Sequence, residues 1–451
     1  MNVQVPFTRV AAVMLAAVFA GCSGAGGGGA RPDDASAPTG PPTYWGDIAP
    51  ILNDKCVKCH QAGSVAPFAF DSYQVAHDMA TTLASLTGKR QMPPFLMAHD
   101  GSCGQFEDSD TLTDAQIARI DLWAAGDRAE GTPVTLVKPP PLGLPTGTDF
   151  VTPVLAPRPP AGGEAPFQEQ RCYPFDARLP ADQFITGHEL RPGNSLLVDS
   201  ALVYLVDPER RTAGGKTNAE VMSALDAADA DRPGWPCRGG PGTGVEPDAL
   251  AVRWEQGQGP VSYPPGTGLL QKRTQRLVIQ MNYVVYDPRS LGMTDSTRLR
   301  LRYAPSVERR ISLLTVDGFL DTRARPQPDV LPAMAGQVSY LWKKSGSELG
   351  AGTAGLDLLA VMPHLGPLGR KLQMTVVGGD GQRRCAATVP AWDSIWQKVY
   401  FYRGTPPRLS SDGQLEVTCG YDTTNAATPV APGDGLEDEA CTVVLVVAPG
   451  R

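Results

Sequence analysis

The ten residues RLVIQMNYVV, Arg276 to Val285, decide the fold class of most of this chain. Large apolar side chains stand at every second position, beginning with Leu277 and ending with Val285. A period of two is that of a β-strand that buries one face. The stretch RLRLRY, Arg298 to Tyr303, repeats the pattern with arginine on its outer face. The sequence therefore predicts β-sheet throughout this region.

Composition extends the prediction to the rest of the C-terminal part. The 451 residues include 49 Gly and 43 Pro, which favours a turn-rich β body over long helices. We expect this body to form two sandwiches, at 167–305 and 306–451. The net charge is −7 and basic residues do not cluster, so nucleic acid is not an expected partner.

The N-terminal segment has the pattern of an export signal. Arg9 precedes the short apolar run Val10 to Ala20, and small residues then lead into Cys22. This resembles a bacterial lipoprotein signal, which implies a signal peptide at 1–22, lipidation of Cys22 and a lipid-anchored protein in the periplasm or at the cell surface. The alternative is an ordinary cleaved signal with an incidental cysteine. The Gly-, Ser- and Pro-rich residues 23–43 predict a flexible tether.

The motif CVKCH, Cys56 to His60, is the attachment pattern of a c-type haem. It predicts thioether bonds from Cys56 and Cys59 and an axial iron ligand from His60. The alternative is a redox or zinc Cys-x-x-Cys motif followed by a chance histidine. One covalent haem c is the expected cofactor.

The surrounding stretches indicate a family for this domain. CVKCHQAGSVAPF, RQMPP and LTDAQIARIDLWAAGD together resemble a bacterial monohaem cytochrome c domain at 44–130. The resemblance implies a small all-α fold with Met92 as the second axial ligand. The competing ligands are Met79, Met97, His77 and His99. Residues 131–166, which are rich in proline, predict an extended linker after this domain.

A second resemblance covers the β body. Its stretches are, in order, FITGHELRPGNSLLVDSALVYLVD, YPPGTGLLQ, RLVIQMNY, MPHLGPLGR, VPAWDSIWQKVYFY, LEVTCGYDTTN and DGLEDEACTVVLVV. They are similar to the copper type II, ascorbate-dependent monooxygenases, the group of peptidylglycine α-hydroxylating and dopamine β-monooxygenases. The family fold is two consecutive jelly rolls, each with one copper. The overall expectation is therefore a multidomain chain with a small all-α cytochrome c domain followed by two all-β jelly-roll sandwich domains.

The same resemblance sorts the cysteines. It implies disulfides Cys419–Cys441 and Cys172–Cys237. Cys103 and Cys385 have no evident partner unless they join each other. Up to three disulfides are expected in an exported chain.

Most of the family's copper ligands are missing. The first domain's two adjacent histidines are replaced by Asp199 and Ser200, and its third histidine by Asn282. In the second domain His364 remains, but Gly366 replaces a histidine and Ala440 a methionine. Copper prefers imidazole and sulfur donors, so no bound copper is expected and no catalytic residue is assigned.

His364 is then interpreted as a remnant of the copper site. A satisfied histidine at a strand end is the favoured interpretation, and a noncanonical metal site is the alternative. His188 and His99 are expected in surface loops. A count supports the loss of copper chemistry, because five histidines less His60 leave four for five histidine places.

These observations predict an exported haem c electron-transfer lipoprotein whose degenerate β module serves for docking or binding. A redox partner protein and the membrane are the expected partners. The alternative is a redox enzyme of monooxygenase type, in which the haem supplies electrons to a repurposed site in the β module. A third interpretation makes the β module a rigid spacer.

Overall fold

The computed structural model describes residues 40–451 except 63, 65, 67, 99, 108–110, 161–162 and 318–329. The predicted signal peptide, Cys22, most of the tether and His99 lie outside the described residues. Among the residues that are described, no helix is long and apolar enough to cross a membrane.

Short helices form the N-terminal part of the described chain. A π-helix at Tyr44–Ile48 leads into the first α-helix, and a fifth α-helix lies within the β body. The α-helices are α1 Ala49–Lys55, α2 Tyr73–Asp78, α3 Ala80–Gly88, α4 Asp114–Ala125 and α5 Asn218–Ala228. Thr113 caps α4 in a capping box with Gln116, which the sequence predicts. Ile120 and Trp123 of α4 are buried against Tyr44 and Leu52.

Two sheets surround the core of the N-terminal sandwich. One is a five-stranded sheet in the order β5-β2-β9-β4-β6. Its strands are β2 Phe167–Phe175, β4 Val198–Val206, β5 Trp235–Pro236, β6 Ala249–Glu255 and β9 Arg276–Val285. The facing strands are β1 Thr148–Val151, β3 Gln183–Arg191, β7 Val261–Ser262, β8 Thr267–Gln271 and β10 Arg298–Ala304. The alternating residues of β9, Leu277 to Val285, are buried in this core as predicted.

The C-terminal sandwich repeats the arrangement. Its outer sheet has four strands in the order β12-β18-β14-β15. They are β12 Gln337–Ser345, β14 Gly369–Val377, β15 Arg383–Val389 and β18 Gln414–Asp422. The facing strands are β11 Arg309–Asp317, β13 Leu356–Leu365, β16 Tyr400–Phe401, β17 Arg408–Leu409 and β19 Cys441–Pro449.

The inner strands of both sandwiches belong to one ten-stranded sheet. Its order is β1-β10-β3-β8-β11-β19-β13-β16, with β7 on β3 and β17 on β13. The junction is the parallel pair of β8 and β11, in which Arg309 lies opposite Thr267. The boundary expected near residue 305 therefore falls just before a strand that continues the same sheet. The two sandwiches share this layer, so they are not consecutive separate domains.

The expectation of a small all-α cytochrome c domain in front of two jelly-roll domains is wrong. The described chain is mainly a multi-sheet β sandwich, and its short helices form one compact unit with the β body from Pro41 to Arg451. After α3, Met97 and Phe106 are buried in the core of the C-terminal sandwich. Phe106 also pairs with Tyr402 in an isolated β-bridge. Long-range apolar burial, which helical periodicity does not reveal, ties this segment to the sheets.

The proline-rich segment is also part of the β body. Residues Thr148 to Val151 form β1 and pair antiparallel with β10. Asp149 accepts hydrogen bonds from Arg300 at 2.6 and 2.8 Å. The arginine face that the sequence predicts on β10 is therefore used within the chain, where it holds this segment on the sheet.

Three disulfides are present among the described residues. Two join the pairs that the resemblance implied, Cys172–Cys237 and Cys419–Cys441. The third, Cys103–Cys385, links the segment after α3 to β15 across 282 residues of sequence. Disulfides of this kind are typical of proteins that fold in an oxidising, extracytoplasmic compartment.

Candidate functional site

The Cys-x-x-Cys-His motif lies on the turn that ends α1. The backbone N–H groups of Cys59 and His60 donate to the Cys56 carbonyl at 3.0 and 2.9 Å. The His60 ring packs against Phe68, with ring centres 4.5 Å apart. Cys56 is buried, and burial raises the pKa of its thiol to about 12.

The expected cofactor, one covalent haem c, must be corrected. The helices that carry the motif are not an independent cytochrome domain. In the described part of the chain, no group of three or more His, Cys, Asp or Glu side chains is placed to hold a metal ion. The structure gives haem c no positive support, and the assignment of Met92 as its second axial ligand has no support either.

Three of the competing axial ligands, Met97, His77 and Met79, lie among the described residues. Met97 is 1% exposed in the core of the C-terminal sandwich, where it fills space. His77 lies on α2, and its Nδ1 is 3.2 Å from Asp78 Oδ1. Met79 is the residue between α2 and α3.

A hydrogen-bond network joins the three positions that the resemblance assigns to histidine ligands of a first copper. Asn282 on β9 donates from Nδ2 to Asp199 Oδ2 at 3.0 Å and to Ser200 Oγ at 3.1 Å. Its Oδ1 accepts from Gln168 Nε2 at 2.7 Å. The bulged pairing of β4 with β9 brings Ser200 opposite Asn282. The side chains at these three positions therefore form hydrogen bonds with one another.

His364 on β13 contacts two further polar side chains, Glu255 and Gln397. Together with the Asn282 network they are called the cluster below. His364 Nδ1 lies 2.6 Å from Gln397 Oε1 and 3.8 Å from Glu255 Oε1. An amide oxygen can only accept, so Nδ1 carries the proton and Nε2 is left as an acceptor. Glu255 follows Arg253 on β6, which holds the carboxylate with Nε 2.8 Å from Oε1. His364 therefore has a hydrogen-bond partner near the end of β13.

Glu439 contacts Gly366 and Ala440, two positions that the resemblance assigns to ligands of a second copper. This side chain is 1% exposed and accepts from Gly366 N at 2.9 Å, Leu368 N at 2.5 Å and Ala440 N at 3.3 Å. A Cβ atom on Gly366 would lie 2.7 Å from the Glu439 carboxylate atoms. A side chain at position 366 and the Glu439 carboxylate therefore compete for one space.

Burial shifts the pKa values of the titratable side chains in the cluster. Burial, with the nearby Glu255 carboxylate as the next cause, raises the pKa of Asp199 to about 6. Burial lowers the pKa of His364 to about 3, so the imidazole is neutral near pH 7. Burial likewise raises the pKa of Glu255, although Arg253 opposes that change.

These residues do not fit the two-copper centre that the resemblance implies. One neutral imidazole, hard oxygen donors and amides replace the histidine and thioether set. Both hydrogens of the Asn282 amide are used within the protein. No catalytic step through copper is derived for this chain.

Sequence reasoning missed Glu255 and Gln397, which contact His364, and it missed Glu439, which contacts Gly366. The motifs VPAWDSIWQ and DEAC contain two of them, yet neither motif indicates what the side chain contacts. Nothing in the sequence around Glu255 marks it as a partner of His364, because that contact joins β6 to β13.

The expectation of His188 in a surface loop is wrong. His188 lies on β3 and is 2% exposed, with Leu301 and Val261 as its strand neighbours. Its ring lies 6.0 Å from Tyr263, and neither ring nitrogen has a hydrogen-bond partner in the described chain. Burial lowers the pKa of His188 to about 3, so this histidine is neutral.

Comparisons with known proteins identify no family. No family model and no curated protein matches the chain. Among solved structures, PNGF-II matches with 9% identity and a TM-score of 0.23, covering 63% of this chain and 60% of that one. A structure of infectious bursal disease virus, Gx strain, matches with 11% identity and a TM-score of 0.17, covering 69% and 75%. At these scores neither likeness supports a conclusion about fold or function.

Proposed function

We propose that this chain is an exported binding protein whose β body receives a small ligand at the cluster of Asp199, Asn282, Glu255 and His364. The observation that carries the proposal is a connected set of hydrogen-bonding side chains, in which Asn282 donates to Asp199 and Ser200. Glu255, which pairs with Ser200 between β4 and β6, lies 3.8 Å from His364. The proposal retains the binding role expected for the β module. The electron-transfer role depended on haem c and is not part of it.

The hydrogen-bonding groups of the cluster that remain available to a ligand indicate which kind of ligand it can bind. The Asn282 amide hydrogens are already engaged, and His364 Nε2 can only accept. Carboxylate oxygens of Asp199 and Glu255 also accept. The cluster therefore suits a small molecule that presents hydroxyl or ammonium hydrogens. An ammonium group would favour the ionised form of Asp199 and bind more tightly above pH 6.

Calorimetric titration of the full chain with a panel of simple sugars and primary amines tests this function. We expect a saturable signal with at least one of these donor ligands, and its loss in Asn282→Ala. Asn53→Ala is the matched control, since Asn53 on α1 donates only to the Val137 carbonyl. Absence of binding across the panel, or equal loss in both variants, would count against the proposal.

A second experiment, copper loading, distinguishes a binding protein from a copper enzyme. After incubation with excess copper and desalting, we expect well below one equivalent of copper. Stoichiometric copper that is lost in His364→Ala, together with ascorbate-dependent oxygen uptake lost in the same variant, would replace the binding proposal by a monooxygenase.

We also propose lipid anchoring through Cys22, on the resemblance of residues 1–22 to a lipoprotein signal. Metabolic labelling with a radioactive fatty acid should mark the wild-type protein and not Cys22→Ala. Equal labelling of both forms would show that Cys22 is not the attachment site.

A further inference from the structure

The loop from Ala431 to Ala440, here called the Asp434 loop, crosses from one sandwich to the other. Its two ends meet on the C-terminal sandwich, where Glu439 N donates to Ala431 O at 2.9 Å and Gly433 N donates to Glu439 O at 3.1 Å. Such a closed neck is the hallmark of a compact surface loop.

The neck is held much more firmly than the tip. The buried Glu439 carboxylate accepts from three backbone N–H groups, and Cys441, two residues further along the chain, is in a disulfide with Cys419. At the tip, Asp434 is 45% exposed and its ion-pair partner Arg238 is 69% exposed. An ion pair this exposed to water adds little stability.

The tip of the loop rests on the N-terminal sandwich. Asp434 Oδ2 accepts from Gln170 Nε2 at 3.0 Å, and Oδ1 accepts from Arg238 Nε at 3.0 Å. The Asp434 carbonyl accepts from Gln168 Nε2 at 2.8 Å. The same Gln168 nitrogen donates to Asn282 Oδ1, so the tip is one side chain away from the candidate site.

We propose that the Asp434 loop is a lid, hinged at its neck on the C-terminal sandwich, that opens and closes the Asp199–Asn282 cluster by releasing or restoring the contacts of Asp434 with Gln170 and Arg238. The lid rests on the proposed function only in that it controls access to the same cluster. Loops of this kind that sequester a site commonly move on microsecond to millisecond timescales.

The experiment measures access to the cluster without any ligand. Ser200→Cys places a thiol at the site, and its alkylation rate in the full chain is followed by peptide mass spectrometry, which separates it from Cys56 and Cys59. Adding Asp434→Ala should raise the rate about 2- to 10-fold, the change expected from the loss of the single hydrogen bond that Gln170 donates to Asp434. Gln170→Ala, which removes the partner from the other side, should accelerate labelling as well.

Glu437→Ala is the matched control. Glu437 has the same charge in the same loop, is exposed, and forms no hydrogen bond or ion pair within the described part of the chain. Its labelling rate should equal that of Ser200→Cys alone. Unchanged rates in Asp434→Ala and Gln170→Ala, or an equal rise in Glu437→Ala, would overturn the lid. Because no ligand is used, failure of the proposed binding function leaves this result unaffected.

Discussion

Replacing Gly366 by alanine should destabilise the C-terminal sandwich although only one methyl group is added. The new Cβ would lie 2.7 Å from three atoms of the Glu439 carboxylate, closer than atoms that are not bonded can approach. The carboxylate cannot swing away cheaply, because it is 1% exposed and accepts from three backbone N–H groups. Overpacking of this kind costs roughly 1–3 kcal/mol.

Glu439→Ala relieves the clash but leaves buried N–H groups without an acceptor, at a cost of about 1–3 kcal/mol. The double variant should therefore lose less than the two single variants together, with a coupling of about 0.5–3 kcal/mol. Urea unfolding of the four proteins at pH 8 gives these free energies. Gly352→Ala is the control, since nothing lies within 4 Å of a Cβ at that position.

Two outcomes would refute this reasoning. One is a Gly366→Ala protein as stable as Gly352→Ala, which would mean that the Glu439 carboxylate is free to move. The other is strict additivity in the double variant, which would mean that position 366 and Glu439 do not share one space.

Asp199→Asn should change how stability depends on pH. The folded-state pKa of Asp199 is raised from 3.8 to about 6, so folding favours the protonated carboxyl. The free energy of unfolding therefore includes a favourable contribution from Asp199 at low pH. This contribution, at most about 3 kcal/mol, is lost as pH rises from about 4 to 6. Unfolding at pH 4, 5, 6 and 7 should show the variant gaining on wild type over this window, and parallel curves would contradict the shift. Separately, replacing Cys103 and Cys385 by alanine should cost roughly 2–5 kcal/mol and speed proteolysis of the segment after α3. Unaltered digestion would show that other contacts hold that segment.

The strands of the β body could be predicted from local sequence patterns. The alternation in Leu277 to Val285 appears as β9 with those side chains buried, because a period of two places them on one face. The capping box at Thr113 and Gln116 was equally readable, since its hydrogen bonds are local. The absence of histidine at positions 199, 200 and 282 could also be read directly, because it is a matter of residue type alone.

The way in which these strands and helices join could not be predicted from such patterns. The parallel pair of β8 with β11 and the disulfide Cys103–Cys385 depend on contacts between residues far apart in sequence, and no local pattern encodes them. The same reason explains His188, whose surroundings on β3 come from β7 and β10. The role of Glu439 also needed coordinates, because its carboxylate fills space left by Gly366, and a sequence records neither that space nor its occupant.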